Sequence, residues 1–425
     1  MSLSITEPLP SLRNKAWWLA LGLASPLWLV SSPVSAGVPL AALALLGLLL
    51  LLSQMRQQHT ILYEDQGLHV LVRCFLFLWA PMLLSALGAE DAGATWKAIG
   101  LYAGGAFAAV GIMAVLRAQP VYRQMSVILM AFTLILALDI LLQKIWGRDI
   151  AGYPLERSLG LPGHASGWFA EARDGVFYLG LLAAVPLYTA WMAGMNRLTH
   201  MIMLPLLAFA VAYAADCSGW IMFLVSLVPY LWVMYLRDAR HPLLSAVVIY
   251  QVFGWLLFGV WLLGPDANPG HLPGMMEGAR QAFAQAAGSH HDLWSAAAGV
   301  AGNHPFNGVG AGGFAAAVSD HAETVRLLDS ARGNSPQQVI LQVLAETGVP
   351  GLIGFVLAAW AVWRLLSGAP EAQRQLASPW LGMLVALWWP LNAHQGFFAP
   401  LSIGLTFFLL AMAVSALTHK RGDIL

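Results

Sequence analysis

Charged side chains are scarce in this 425-residue sequence: they make up 10% of it, whereas 59% of the residues are hydrophobic. A soluble domain cannot bury so much apolar surface, and several apolar runs approach the roughly 20 residues that cross a bilayer core. The 21 basic and 21 acidic residues cancel. Net charge therefore indicates neither a nucleic acid nor an anionic membrane surface as partner. The composition predicts a polytopic membrane protein.

Cysteines and metal-binding patterns are equally sparse. Cys74 and Cys217 lie in distant apolar runs, without the spacing of a metal site or a disulfide framework. The adjacent His290 and His291 are not a zinc motif, because chain neighbours rarely share one metal. We therefore expect no metal and no other cofactor. The N-terminus lacks a signal-peptide cleavage pattern, so its first apolar run is expected to remain as a helix.

The apolar runs predict an all-α integral membrane protein with about twelve transmembrane helices. They fall at residues 17–32, 38–53, 67–88, 97–116, 125–142, 175–192, 200–215, 218–236, 243–264, 350–367, 378–397 and 400–418. Nine predicted helices occupy 1–264, including a loop at 143–174; a larger helical loop follows at 265–349, and 350–425 holds the last three helices and a tail. No internal repeat favours an inverted-repeat transporter.

Lysine and arginine indicate the orientation of these spans. With the N-terminus inside, the outer short loops hold only Lys97, and the positive-inside rule then places both termini in the cytoplasm. The cytoplasmic cations are Arg13, Lys15, Arg56, Arg73, Arg117, Arg123, Arg197, Arg237, Arg240, Arg364, Arg374, Lys420 and Arg421. The two long outward loops hold Lys144, Arg148, Arg157, Arg173, Arg280, Arg326 and Arg332. The positive-inside rule does not apply to long loops, so topology does not explain these cations. A functional role is one explanation for them.

The loop at 265–349 contains three motifs. DLWSAAAGVAGN (292–303) predicts a short helix that ends before a His-Pro pair, and GVGAGGF (308–314) predicts a structural turn that leads into a further helical stretch. The turn lacks the Lys-Ser/Thr of a P-loop and the flanking strand of a dinucleotide fingerprint.

The third motif, NSPQQVILQVLAETGVPG (334–351), predicts another helix. Ser335 suits an N-cap, Pro336 the first helical position and Gln338 the end of a capping box. Gln337 would then lie in the first turn, where unpaired N–H groups favour an anion such as a phosphate.

These motifs resemble the O-antigen ligase superfamily of Gram-negative bacteria, which includes O-antigen ligases, O-antigen polymerases and protein O-oligosaccharyltransferases. The resemblance is specific over roughly residues 290–352 and topological elsewhere. It implies a glycosyltransferase of the inner membrane that transfers a glycan from undecaprenyl diphosphate to an acceptor hydroxyl on the periplasmic face, without a metal. In the ligases the acceptor is the lipid A core, and the product is lipopolysaccharide.

The resemblance also assigns catalytic roles to three positions, and all three are substituted. Gln337 stands at the family's histidine position, His290 at an arginine position and, by a weak alignment, Cys217 at another arginine position. A histidine would take the proton of the acceptor hydroxyl, and arginines would neutralise the departing diphosphate. Gln337 cannot act as a base, and Cys217 has no positive charge. The chain is therefore either a non-catalytic homologue or an altered active enzyme.

Further polar residues are candidates for substrate binding: Arg148, Arg157, Arg280, Arg332, Asn334, Gln338 and His394. Several candidates have a structural alternative: the cations of the 143–174 loop pair with nearby acids, the histidines lie exposed in loops or packed at helix ends, Cys217 is a small buried residue and Gln337 is a solvated helix start. Arg280 and Arg332 could supply the positive charge that is missing at positions 217 and 290. Glu346 is most of three helical turns from position 337, so we expect it to anchor the helix rather than act as the base.

The resemblance thus implies an inverting O-antigen ligase whose partners are an undecaprenyl-diphosphate-linked glycan, the lipid A core and membrane lipids. The net charge indicates no nucleic acid as partner. An O-antigen polymerase or a protein O-oligosaccharyltransferase shares the same motifs and stays open. A non-catalytic lipid-linked-glycan binding protein is a third alternative, favoured by the three substitutions. A transporter would need an ionisable relay, for which Asp139 and Asp216 are slender candidates.

Overall fold

The computed structural model describes residues 16–24, 41–49, 52, 65–118, 120–150, 152, 154, 165–167, 169, 172–214, 217–231, 293–319, 335–336, 338–389 and 396–419. Nearly all regular structure in these residues is helical; the exception is one isolated bridge between Arg148 and Pro154. This confirms the all-α class for the part of the chain that is described.

The longer helices are α1 (Gln66–Ser85), α2 (Ala92–Ala118), α3 (Tyr122–Trp146), α4 (Ala172–Leu182), α5 (Ala184–Met192), α6 (Arg197–Ala214), α7 (Cys217–Leu231), α8 (Val339–Gly368), α9 (Glu371–Trp388) and α10 (Pro400–Thr418). Residues 16–24, 41–49 and 293–303 are also helical. A single 3-10 turn, Ala86–Gly88, extends α1 towards α2.

Five of the described helices are long and apolar enough to cross a membrane. These are Gln66–Gly88, Ala92–Arg117, Tyr122–Trp146, Val339–Gly368 and Pro400–Thr418. The described part of the chain is therefore helical with five candidate membrane spans, and the number twelve stays a prediction. The predicted run at 243–264 lies outside the described residues.

α10 lies at the centre of the helical packing. In its most apolar window, 89% of the residues are buried, and its faces pack against α9, α2 and α1. A helix that is hydrophobic all round is expected to be enclosed in this way. Its few polar groups are paired: Tyr122 Oη donates to Ser415 Oγ at 2.8 Å, and Trp388 Nε1 donates to Thr406 Oγ1 at 3.1 Å.

α8 packs closely along α1, and Gly354 marks their tightest approach. A Cβ built on Gly354 would collide with the backbone oxygen of Phe77. One turn further along, the thiol of Cys74 donates to the carbonyl of Ala358 at 3.6 Å. Small residues at such crossings let two helix backbones approach each other within a membrane.

Replacing Gly354 with alanine should therefore push α1 and α8 apart. We expect a loss of about 1–3 kcal/mol, the usual cost of overpacking a well-packed interface, read as a lower thermal unfolding midpoint of the purified protein. Gly104→Ala is the matched control, because a Cβ on this helical glycine meets nothing within 4 Å. Equal midpoints for the two variants would contradict the close crossing.

Candidate functional site

α8 contains a break at Gly348 that separates its first nine residues from its membrane-spanning part. Gly348 has φ 68° and ψ −169°, a conformation outside the helical region. The amide of Val349 donates to the carbonyl of Pro305 at 2.8 Å instead of to its own helix. Pro350 has no amide hydrogen to donate. The carbonyls of Ala345 and Glu346 are thereby left without their usual helical partners.

The glycine-rich turn at 308–313 supplies the missing donors. Val309 N donates to the Ala345 carbonyl and Gly310 N to the Glu346 carbonyl, each at 3.0 Å. Gly308, Gly310 and Gly312 all have positive φ, and a Cβ on Gly308 would collide with the backbone of Glu346. The turn is thus a structural cap for the broken helix, as the sequence predicted.

The same turn also contacts the connection between α1 and α2. Glu90 N donates to the Val309 carbonyl at 3.0 Å, and a Cβ on Gly310 would collide with Thr95 Oγ1 and Ala89. The turn is therefore held between α8 on one side and residues 89–95 on the other.

Glu346 anchors this arrangement through its side chain. Its carboxyl group is fully buried; Oε2 accepts from the amide of Gly312, and Oε1 accepts from Gln342 Nε2 at 3.0 Å. Gln342 Oε1 in turn accepts from the amide of Phe397 at 2.6 Å. A chain of hydrogen bonds therefore connects the glycine-rich turn, α8 and the segment before α10. The anchoring role predicted for Glu346 is confirmed.

A small second core attaches the helix at 293–303 to α8. It comprises Leu293, Ala297, Ala301, Phe314, Val318 and Ala345. The helix ends at residue 303, as predicted, and is followed by the turn residues that lead to Pro305. Val339 and Val343 face the main core instead, so the start of α8 lies between two apolar clusters.

The predicted capping box is wrong. α8 begins at Val339, and its N-cap is Gln338, whose side chain accepts from the amide of Leu341. Ser335 is buried, and its Oγ has no hydrogen-bond partner among the described residues. α8 therefore begins three residues after Pro336, the predicted first helical position. Tertiary packing explains the difference, because a Cβ on Gly396 would lie 2.9 Å from Ser335 Cβ.

Residues 202–356 match the family model described as O-Antigen ligase. The match supports membership of this chain in the O-antigen ligase superfamily. It includes the helix at 293–303, the glycine-rich turn, Glu346 and the break at Gly348. A search of curated proteins found no match to the chain.

Few of the candidate site residues singled out in the sequence fall in the described part. Arg148 is exposed and follows α3 directly, Gln338 caps α8, and Cys217 is the first residue of α7. The remaining candidates lie outside the described residues: Gln337, His290, Arg157, Arg280, Arg332, Asn334 and His394. Their grouping into one site therefore stays a prediction.

Two polar residues of α3 hold the residues that follow this helix, among them Arg148. Asp139 Oδ1 accepts from the amide of Ile150 at 2.7 Å, and Gln143 Oε1 accepts from the amides of Ser166 and Gly167 at 2.8 and 2.9 Å. This contact gives Asp139 a structural role, which weakens the transporter alternative. Within the described residues, no group of three metal-binding side chains is present.

Sequence reasoning missed Gln342 and Gly396, and it assigned Ser335 to a cap instead of to a packed position. Gln342 lies four residues before Glu346, the spacing at which two helical side chains meet, and this was the available signal. Ser335 and Gly396 meet only through tertiary packing. Their contact places Ser335 next to the segment that begins at Gly396.

Proposed function

We propose that this protein has the architecture and substrate site of an O-antigen ligase, a glycosyltransferase that moves a glycan from undecaprenyl diphosphate to the lipid A core, and that three substituted positions suppress its turnover. The family match over residues 202–356 is the observation that carries the proposal. It coincides with the glycine-rich turn and the broken helix α8, whose backbone and side-chain hydrogen bonds form one connected unit. Such a unit is the kind of rigid support that a glycan site needs.

The proposed topology has twelve spans in the inner membrane, with both termini in the cytoplasm. In this arrangement 1–264 carries nine spans, 265–349 forms a periplasmic cap and 350–425 holds the last three. The break at Gly348 supports a boundary between cap and membrane at this point. The asymmetry of lysine and arginine in the short loops supports the orientation.

The proposed chemistry is a direct displacement without a metal. The acceptor oxygen forms a bond to the anomeric carbon as the bond to the lipid diphosphate breaks, which inverts that carbon. Cations near the diphosphate stabilise its negative charge as it leaves. The proposed cations are Arg148, Arg157, Arg280 and Arg332. Asn334, Gln338 and His394 are proposed to bind sugar hydroxyls or phosphate oxygens.

The residues at positions 337, 290 and 217 determine whether the protein is catalytically active. A general base contributes roughly 10²–10⁴-fold to such a reaction, and glutamine at 337 cannot supply it. We therefore expect the unaltered chain to leave a ligase-deficient strain without long-chain lipopolysaccharide. Gln337→His, His290→Arg and Cys217→Arg, combined in one chain, should restore it. Lipopolysaccharide gels, with membrane expression measured in parallel, provide the readout.

The chain with His290→Arg and Cys217→Arg but with Gln337 retained serves as the matched control, because it differs from the combined variant only at position 337. Restoration by this variant as well would mean that position 337 has no special role. Ligation by the unaltered chain would show that the proposed base and arginine positions are wrong. If well-expressed variants all fail to ligate, the ligase proposal falls. Assays for glycan polymerisation and periplasmic protein glycosylation would then distinguish the related enzymes.

A non-catalytic glycan-binding protein is the second candidate, and the three substitutions favour it. It predicts retention of the lipid-linked donor by the purified unaltered chain without transfer to any acceptor. Donor binding with no product before or after the three reversions would support this candidate over the ligase.

A further inference from the structure

A groove of about 500 Å³ lies between the first half of α1 and the second half of α8. Its lining residues are Gln66, His69, Val70, Arg73, Phe77, Trp360, Ala361, Arg364 and Leu365. Arg364 follows Gly348 by 16 residues, about 24 Å along a helix with a rise of 1.5 Å per residue. A bilayer core is about 30 Å thick. The groove is therefore near the opposite end of α8 from the candidate site.

Two arginines give the groove its charge, one from each helix. Both Arg73 and Arg364 are exposed, and neither forms an ion pair within the part of the chain that the structure describes. Arg73 lies seven residues into α1, about 10 Å along its axis. Its long side chain can extend along α1 to the helix end, which would place the guanidinium at the membrane boundary.

The surroundings of Arg364 are those of a membrane interface. Its guanidinium carbon lies 5.1 Å from the centroid of the Trp360 ring, and the Trp360 and Trp363 side chains are 53% and 64% exposed. Exposed tryptophans of this kind are enriched at the boundary between lipid and water. The positive-inside pattern predicts that this boundary faces the cytoplasm.

We propose that this groove binds the phosphate head group of an anionic phospholipid. Two guanidinium groups, with His69 beside them, offer several N–H donors to phosphate oxygens, and the described lining contains no acidic residue. Val70 and Phe77 on α1 and Leu365 on α8 provide apolar surface for the upper parts of the acyl chains. Charge and apolar surface together match a lipid better than a free phosphate ion.

The zero net charge of the chain does not argue against this site. Recognition depends on the local field, which falls off within about 10 Å at ordinary ionic strength. Basic pockets between membrane helices are a known type of lipid head-group site. A lipid bound here would bridge α1 and α8 and would favour the folded protein, because it binds that state alone.

The test uses the full-length chain in phosphatidylcholine nanodiscs with a trace of photoactivatable phosphatidylglycerol. We expect labelled peptides at 66–77 and 360–365, identified by mass spectrometry, and competition by unlabelled phosphatidylglycerol. Each of Arg73→Gln and Arg364→Gln should lower labelling about fivefold, since a basic residue near anionic lipid contributes about 1 kcal/mol. Arg123→Gln is the matched control, because Arg123 is an exposed arginine at the predicted cytoplasmic end of α3.

Several results would overturn the proposal. Equal labelling by a phosphatidylcholine probe would show that the groove does not select anionic lipid. Displacement by inorganic phosphate would indicate a free-ion site, and stronger displacement by a polyprenyl phosphate would indicate a place for the glycan carrier. Labelling of the unaltered chain at other peptides would exclude the groove without any variant, so a folding defect in the arginine variants does not limit the test.

Discussion

Gly348→Ala should be among the most damaging single substitutions in the described part of the chain. Alanine is strained at φ 68° and ψ −169°, at a cost of about 1–3 kcal/mol. Its Cβ would also lie 2.7 Å from the Phe306 carbonyl and 2.8 Å from the Pro305 oxygen. We expect a total loss of about 3 kcal/mol, measured as a lower thermal unfolding midpoint and a lower yield of folded protein.

The damage should extend to the glycine-rich turn. If α8 continued without a break, the carbonyls of Ala345 and Glu346 would no longer be directed to Val309 and Gly310. Hydrogen exchange at the amides of residues 309 and 310 should therefore accelerate in the variant. This local readout distinguishes loss of the cap from general destabilisation.

Gly100→Ala provides the matched control for this prediction. Gly100 lies inside α2, and a Cβ there meets nothing within 4 Å. Alanine is favoured over glycine by about 0.5–1 kcal/mol in a helix interior, so this variant should be neutral or slightly more stable. A Gly348→Ala protein as stable as the control would show that the break in α8 is not required.

Much of this architecture could be predicted from residue patterns. The apolar runs located the described helices, and the composition of 308–314 indicated a turn because glycine alone tolerates three positive φ values there. The predicted run at 175–192 is divided into α4 and α5 because Pro186 cannot donate to the carbonyl of Leu182, where α4 ends. That break was readable from the proline and was missed.

Other features depend on contacts that are distant in the chain. The choice of Gln338 over Ser335 as the N-cap follows from burial of Ser335 against Gly396, which local capping rules do not contain. The groove at Arg73 and Arg364 likewise requires α1 to pack against α8. No local sequence motif predicts that contact. Family resemblance supplied the proposed site positions, whereas tertiary packing determined the arrangement of the glycine-rich turn and α8.

Glu346→Gln should destabilise the protein although the two side chains have nearly the same shape. Both carboxyl oxygens of Glu346 face donors, the amide of Gly312 and Gln342 Nε2. A glutamine offers one acceptor and one N–H₂ group, so one buried donor would face another donor. We expect a loss of about 1–3 kcal/mol, the cost of an unsatisfied buried polar group, in thermal unfolding, together with faster hydrogen exchange at Gly312.

Exchanging the two side chains should restore most of this loss. In Gln342→Glu combined with Glu346→Gln, the new glutamate can accept from the amide of Phe397 and from the new glutamine, whose oxygen accepts from Gly312. Gln342→Glu alone should destabilise the protein, because two acidic groups would then face each other where a 3.0 Å hydrogen bond now joins the side chains.

A double-mutant cycle of unfolding midpoints measures the coupling between positions 342 and 346 directly. Additive losses in the double variant would contradict the proposed direction of the hydrogen bonds. Recovery would show that this chain of hydrogen bonds, rather than the charge of Glu346, connects the glycine-rich turn to α8 and to the segment before α10.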